Sequence, residues 1–146
     1  MELKANELRL NNIIGRGFMN PLPTGLKKEY EPCEIKSLGI ERIIVNSKIN
    51  SNELIKMSYD NIKPIPLTEE WLLKFGFEED GVWIHKIIKL EHDRMLGIDL
   101  NNNHFFLSQW DKHNNFRDCF LIKCDYVHQL QNLYFALTNK ELEIKM

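Results

Sequence analysis

The segment Pro64–Phe77 (PIPLTEEWLLKFGF) constrains the fold most strongly, because it carries signals for both ends of one short helix. Pro66 holds the residue before it in an extended conformation. Thr68 is the predicted N-cap, with its hydroxyl accepting a hydrogen bond from an amide of the first turn. Gly76 can adopt the left-handed conformation that ends a helix. We therefore predict a helix that begins after Thr68 and ends before Gly76.

The apolar residues of this segment predict how the helix packs. Leu67 and Leu72 are spaced for a hydrophobic staple at the helix N-terminus, and Trp71 and Phe75 extend the same buried face. A helix this short is unstable in water on its own. Its stability must therefore come from burial of this face against the rest of the protein.

Two further regions follow the helix. Short, turn-rich breaks separate four predicted strands, which favours an antiparallel meander. A second helix is predicted from Asp125, as N-cap, to Thr138, with Asn139 as a left-handed terminator. Residues Glu141–Ile144 are predicted to add a last edge strand. The four strands are Val82–Leu90, Met95–Leu100, Phe105–Trp110 and Phe116–Lys123, and the apolar stripe of the helix is Tyr126, Val127, Leu130, Leu133, Tyr134 and Leu137.

The chain before the first helix is predicted to form a small sheet interrupted by a long loop. A first strand is predicted at Leu8–Ile14. The segment Gly15–Pro32 holds three glycines and three prolines, a composition typical of a loop. Short strands rich in β-branched residues follow it, namely Cys33–Leu38, Arg42–Val45 and Glu53–Met57.

These elements predict an α+β fold. A small N-terminal SH3-like sheet is joined by the short linking helix to a four-strand antiparallel meander, which the C-terminal helix covers. We predict a subdomain at residues 1–66, with its long loop at 15–32, and a helix–meander–helix subdomain at residues 67–146. At 146 residues and 43% hydrophobic composition, the two are expected to share one core.

The net charge and the cysteine content indicate the classes of partner and the cellular compartment. The net charge of −2, from 19 basic and 21 acidic residues, gives no field that favours nucleic acid or a membrane surface. Three cysteines and an N-terminus without an apolar secretory segment are typical of free thiols in a reducing cytosol. We expect a cytoplasmic protein.

The sequence contains only weak patterns for a metal site or a catalytic nucleophile. Cys119, Cys124 and His128 have the residue types of a zinc site, but a structural site needs a fourth ligand. The alternative is two buried thiols that act as small hydrophobes and a surface or capping histidine. No nucleophile elbow surrounds any serine or cysteine. We therefore predict no metal, no cofactor and no catalytic residue, and favour a non-enzymatic protein.

Two polar clusters are candidate ligand-binding sites. The predicted loop carries Arg16, Phe18, Lys27, Lys28 and Tyr30, in which cations can hold phosphates and rings can stack on a base. The alternative is an ordinary solvated loop. The predicted hairpin turn after the third meander strand carries a second aromatic and cationic cluster, whose alternative is a normal turn. Its candidate residues are Trp110, His113 and Arg117.

Three blocks of the sequence resemble a family of small uncharacterised proteins encoded by phages, prophages and mobile elements of Bacteroidetes bacteria. They span nearly the whole chain, and the middle and C-terminal blocks are the specific ones. The chain departs from the family pattern at Leu10–Ile13, where the family continues with glycine and an aromatic residue, and at Asn139, where it tends to have glycine. The blocks are Asn6–Arg9, Pro64–Phe77 and Tyr126–Leu137, the last followed by Thr138 and Glu141-Leu142.

The resemblance implies a setting rather than a chemistry. It implies a phage-type accessory protein in the host cytosol, and such proteins often bind and block host factors. The expected function is sequestration or blocking of a host molecule, with a nucleotide immune signal as the candidate ligand. The alternatives are a protein-interaction adaptor or inhibitor of a host protein, then nucleic-acid binding or a Cys/His enzyme. The expected partner is a host-derived small molecule or host protein, and a homo-oligomer is also considered.

Overall fold

The computed structural model describes residues 7–22, 25–49, 51–79, 85–110 and 116–145. Within these residues the protein has two five-stranded antiparallel sheets and two α-helices, so the predicted α+β class is confirmed and sheet predominates. The chain divides into two compact units. Unit 1 comprises Met1–Pro66 and Tyr126–Asn132, and unit 2 comprises Leu67–Asp125 and Leu133–Met146.

Unit 1 is built on a sheet with strand order β4-β3-β2-β1-β5. A single turn of 3₁₀ helix at Tyr59–Asn61 precedes the last strand. The predicted short strands are found within one or two residues of their expected bounds, and Cys33–Leu38 forms the end of a longer strand. The strands are β1 Ile13–Leu22, β2 Gly25–Leu38, β3 Arg42–Asn46, β4 Leu54–Ser58 and β5 Ile62–Lys63.

The predicted loop at Gly15–Pro32 is wrong, because these residues form most of the β1–β2 hairpin. The predicted start of the first strand at Leu8 is also wrong, since β1 begins at Ile13 and Asn11 turns the chain with φ of 64°. Pairing between β2 and β3 begins at Ile35. Pro32 therefore lies where β2 is paired on its β1 side, and a proline without an N–H is tolerated there.

The core of unit 1 lies against this sheet. Its largest fully buried aliphatic side chains come from successive strands, as alternation along half-buried strands requires. Burial of each such side chain stabilises the fold by roughly 1.5–3 kcal/mol. The core residues are Leu8, Ile14, Cys33, Ile35, Ile43, Val45, Met57 and Ile62.

Unit 2 begins with α1, Glu69–Lys74, in the position that the sequence predicts. Gly76 has φ of +82° and its N–H donates to the carbonyl of Leu73 at 2.9 Å, while the N–H of Phe77 donates to the carbonyl of Leu72 at 3.0 Å. These two bonds make a Schellman motif. The predicted hydroxyl cap is wrong, because Thr68 occupies the N-cap without a side-chain hydrogen bond.

The predicted antiparallel meander is confirmed as the strand order β10-β9-β8-β7-β6. A fifth strand of two residues begins at Glu78, before the four predicted ones, and pairs with β7. Lys86 on β7 is buried and its ammonium contacts the carboxylates of Glu69 and Glu79 at 2.8 and 3.0 Å. The strands are β6 Glu78–Glu79, β7 His85–Lys89, β8 Arg94–Asp99, β9 His104–Trp110 and β10 Phe116–Lys123.

Helix α2, Val127–Thr138, contributes its first half to unit 1 and its second half to unit 2. It begins two residues after Asp125, so Tyr126 occupies the cap position predicted for Asp125, and the Gln129 side chain accepts the Tyr126 N–H at 3.2 Å. Asn139 has φ of 55°, as predicted for the terminator. The predicted strand at Glu141–Ile144 is wrong, because these residues have no regular secondary structure. Among the described residues, no helix combines the length and apolar character needed to cross a membrane.

Candidate functional site

The β1–β2 hairpin separates the predicted binding residues onto two faces. Arg16 lies opposite Glu31, Gly17 opposite Tyr30, and Met19 opposite Lys28. Directly opposed residues share a face, and neighbours along a strand point to opposite faces. Arg16 and Phe18 therefore share one face of the hairpin, and Lys28 and Tyr30 share the other.

The Arg16 face is occupied by internal contacts. The Arg16 guanidinium forms an ion pair with Glu31 and lies 6.0 Å from the centre of the Phe18 ring. Its side chain is only 15% exposed. By alternation this face continues into Ile14 and Cys33, which are fully buried. Arg16 is thus engaged in holding the hairpin, and it offers little charge to a ligand.

The other face carries a ring between two cations. Lys63 on β5 places its ammonium 4.5 Å from the Tyr30 ring centre, and Lys28 places its ammonium 5.7 Å from it. The Lys28 ammonium also donates to Asn61 Oδ1 at 2.9 Å. We name Lys28, Tyr30, Asn61 and Lys63 the Tyr30 surface. Both lysines are exposed, so their charges are open to an incoming anion.

Two glycines of β1 lie under the Tyr30 side chain, and Gly17 is the one that leaves room for its ring. A Cβ at Gly17 would lie 3.2 Å from Tyr30 Cε1 and 2.8 Å from Lys28 Cε, and a Cβ at Gly15 would lie 3.4 Å from Tyr30 Cβ. Aromatic side chains commonly cover cross-strand glycines in this way. Glycine at position 17 therefore positions both the ring and the Lys28 side chain.

This arrangement suits an anion that bears a planar group. Ammonium groups attract phosphate oxygens as compact charges, and an aromatic ring stacks on any base. Asn61 and Lys63 were not predicted from the sequence, because Asn61 ends the 3₁₀ turn, Lys63 lies on β5, and both join the site only through pairing of β5 with β1. Only the register of strand pairing in the folded protein brings these two residues to the site, and no local sequence pattern indicates it.

The remaining predicted site residues are placed by backbone alone or not at all. Lys27 pairs with Asn20 near the end of the β1–β2 hairpin. Trp110 pairs with Phe116, and Arg117 with Gln109, in unit 2. The side chains of Lys27, Trp110 and Arg117, and the whole of His113, lie outside the described part of the chain.

The cysteine and histidine residues have environments that differ from the expected ones. Cys119 is exposed, whereas Cys33 and Cys124 are buried, and burial raises the pKa of both buried thiols to about 12. His128 is buried as well. The predicted alternative of two buried thiols and a surface or capping histidine is therefore wrong for Cys119 and for His128, whose ring nitrogens have no hydrogen-bond partner among the described residues. The described residues contain no group of three or more metal-ligating side chains.

Comparisons with known proteins give this geometry no counterpart. No protein-family model, no curated protein and no solved structure matches the chain. Function must accordingly be proposed from the contacts and charges of its own residues.

Proposed function

We propose that this chain is a non-enzymatic binding protein that captures an anionic small molecule of the nucleotide class at the Tyr30 surface. The observation that carries the proposal is Tyr30 between the ammonium groups of Lys28 and Lys63. Stacking of a base on an aromatic ring contributes about 1–3 kcal/mol. The two lysines would supply the charge that distinguishes a nucleotide from an uncharged planar molecule.

The internal pairing of the neighbouring charges supports a binding role over catalysis. Arg16 is paired with Glu31, and Lys28 is oriented by Asn61. General acid–base chemistry requires a group whose pKa lies near the operating pH. Lysine, tyrosine and asparagine provide positive charge, a ring and an amide, which are groups for recognition. The resulting activity is capture of the ligand without its conversion.

The biological setting of the proposal comes from the resemblance to phage and mobile-element proteins of Bacteroidetes. In that setting the captured molecule is a host-derived nucleotide signal of defence, and the protein works in the host cytosol. Capture of such a signal requires stoichiometric amounts of the protein rather than turnover. A comparison of affinities tests this part of the proposal: a nucleotide used as a defence signal should bind more tightly than a common mononucleotide.

The proposal includes an SH3-like topology for unit 1. Its support is the strand order β4-β3-β2-β1-β5 and the 3₁₀ turn between β4 and β5. In such a small barrel-like sheet, binding side chains lie on hairpins that a compact core holds in place. The Tyr30 surface has this position, because it lies on the β1–β2 hairpin with β5 beside it.

Titration of the purified protein with cyclic nucleotides and ADP-ribose-type nucleotides tests the proposal. A ligand present at 100 times its Kd should stabilise the fold by roughly 2.7 kcal/mol, which thermal shift detects, and calorimetry then gives the affinity. No shift with any of these nucleotides would remove the nucleotide version of the proposal.

A set of variants ties binding to the surface. Tyr30→Leu removes the ring and should weaken binding about tenfold, since about 1.4 kcal/mol of stacking is lost. Tyr30→Phe keeps the ring and should bind as the wild type does. Lys63→Gln should also weaken binding, whereas the matched control Lys48→Gln, an exposed lysine outside the surface, should not. Equal affinity of Tyr30→Leu and Tyr30→Phe would place the ligand elsewhere.

A second candidate function is interaction with a host protein, and exposed apolar residues of unit 1 favour it. Ile40 is 100% exposed in the β2–β3 turn, and Leu54 is 59% exposed on β4, the edge strand of its sheet. Edge strands with exposed apolar residues can pair with another chain. A host partner that the wild type captures and an Ile40→Asp variant loses, with no nucleotide effect, would favour this function.

A further inference from the structure

Unit 2 contains a cavity of about 300 Å³ that the sequence did not indicate. It lies between the β7–β8 turn and the C-terminal end of α2. A volume at the lower end of the range for small-molecule sites fits a compact ligand. The side chains that give it chemical character are Lys89, Glu91, Arg94, Tyr134, Leu137 and Lys140.

Positive charge predominates in this cavity. Lys89, Arg94 and Lys140 are cationic, and Glu91 is the one carboxylate among the lining residues. Lys89 and Arg94 have no ion pair with another described side chain. The Arg94 Nε donates to the Glu91 backbone carbonyl at 3.3 Å. This bond fixes the Arg94 guanidinium, which lines the cavity, through one of its nitrogens.

Two of the lining residues, Glu91 and Lys140, form an ion pair with each other. The two residues are 49 positions apart in the sequence, and both side chains are 63% exposed. An exposed pair of this kind contributes little to stability, because water and salt screen it. An incoming anion with more charge could therefore displace the Glu91 carboxylate from Lys140 at small cost.

Helix α2 adds apolar surface to the cavity lining. Tyr134 and Leu137 are three residues apart on α2, a spacing that puts both side chains on the same face of the helix. Both line the cavity. A ring and a branched aliphatic side chain favour an organic body over a fully hydrated inorganic ion. The combination of three cations and this wall points to an anion attached to a small planar or apolar group.

We propose that this cavity is a binding site for a small phosphomonoester, with Glu91 occupying the position of the ligand's phosphate in the free protein. The planar fork of Arg94 matches two phosphate oxygens. Lys140 exchanges the Glu91 carboxylate for a third oxygen, and Lys89 adds charge at the rim. The ligand's organic group packs on Tyr134 and Leu137. This site is independent of the Tyr30 surface and does not rest on the function proposed for it.

Calorimetric titration with phenyl phosphate tests the site, with phenol as the uncharged control. We expect phenyl phosphate to bind and phenol not to bind. Binding should weaken as salt is added and as the pH falls below about 6, where a phosphomonoester loses its second charge. No binding of phenyl phosphate at about 10 mM, corresponding to less than about 3 kcal/mol of affinity, would overturn the proposal.

Single substitutions then locate the ligand. Arg94→Gln and Lys140→Gln should each weaken binding about tenfold, and Glu91→Gln should tighten it about threefold by removing the competing carboxylate. Lys48→Gln, the same charge change on an exposed lysine of unit 1, should leave the affinity unchanged. Weaker binding by Glu91→Gln, or unchanged binding by Arg94→Gln, would contradict the assignment.

The same titration in Tyr30→Leu separates the two sites. Binding of phenyl phosphate that survives in Tyr30→Leu and falls in Arg94→Gln supports a site in unit 2. Binding that is lost in Tyr30→Leu and survives in Arg94→Gln overturns it. All these residues have exposed or half-buried side chains, so each variant should fold, which circular dichroism checks.

Discussion

The side-chain oxygen of Gln131 accepts a hydrogen bond from the backbone N–H of Ile13 at 2.7 Å, although 118 positions separate them. The side-chain nitrogen of Gln131 donates to the carbonyl of Asn11 at 3.1 Å. Gln131 is buried. One amide thus satisfies two backbone groups where the chain turns into β1, and it attaches this start of the sheet to the first half of α2 within unit 1.

Replacement of this amide should destabilise the protein. Gln131→Leu keeps the approximate volume but leaves the buried N–H of Ile13 without its acceptor, at a cost of about 1–3 kcal/mol. Urea denaturation measures the free energy of unfolding. The control is Ala136→Leu, an exposed position of the same helix, which should change it by less than about 0.5 kcal/mol. A Gln131→Leu variant as stable as the wild type would show that the pair contributes nothing.

Buried His128 should make stability depend on pH. Both its ring nitrogens are buried without a hydrogen-bond partner among the described residues, and its ring stacks on Tyr126 at 5.9 Å. Burial lowers the pKa of His128, against a smaller opposing effect of Glu7. In the unfolded chain the pKa is about 6.5, so the unfolded state binds the proton more readily. Stability is fully present above that pKa and decreases as the pH falls below it.

The comparison of wild type with His128→Phe isolates this effect. The difference in unfolding free energy between the two proteins should be constant from pH 7 to 8. Below about 6.5 it should move in favour of the variant by up to about 1.4 kcal/mol per pH unit. Urea titrations at several pH values measure it. A difference that does not change between pH 5 and 8 would mean that His128 is not protonated differently on unfolding.

Gly97 is required by the ring of its cross-strand partner. Gly97 on β8 lies opposite Phe106 on β9, and a Cβ at position 97 would lie 2.2 Å from Phe106 Cζ. Gly97→Ala should therefore cost about 1–3 kcal/mol by overpacking. Gly15→Ala is the matched control, because its Cβ would come no nearer than 3.4 Å to any neighbour.

A double-mutant cycle in thermal or urea unfolding checks this cause. In a Phe106→Leu background the added methyl group should cost less, because the shorter side chain leaves space over position 97. Additive effects of the two substitutions would indicate that the Phe106 ring is not what excludes a side chain at Gly97.

The three thiols should differ in reactivity. Cys119 is exposed, whereas Cys33 and Cys124 are buried with pKa values raised to about 12. The thiolate is the reactive form, so a disulfide reagent at pH 8 should modify one thiol rapidly and the other two after unfolding. Cys119→Ser should abolish the rapid phase. Two or three rapid equivalents in the native protein would contradict the buried environments.

Local sequence patterns predicted the elements whose limits are set by neighbouring residues. The sequence predicts the first helix between Thr68 and Gly76, because proline and glycine limit a helix through the backbone conformation of the few residues beside them. Strands β7 to β10 were placed from turn residues and alternation for the same reason. The predicted hydroxyl cap is wrong, because Thr68 occupies the N-cap but its exposed side chain makes no capping hydrogen bond.

The β1–β2 hairpin could not be predicted, because glycine and proline at Gly15–Pro32 are typical of a loop in local terms. They are tolerated in a strand here because Tyr30 covers Gly15 and Gly17 and because Pro32 lies outside the pairing with β3. The predicted cluster of Arg16 with Tyr30 was likewise divided by register, which places the two side chains on opposite faces. A shift of one residue would have joined them.

The sequence by itself determined the short helix, the meander and the positions of the chemically active residue types. Tertiary structure alone decided which of those residues meet: Lys63 with Tyr30, Glu91 with Lys140, and Gln131 with Ile13. The physical reason is that helix ends and turns are set by backbone geometry over three to five residues. A binding surface or a buried amide instead depends on partners that only strand register and packing bring into contact.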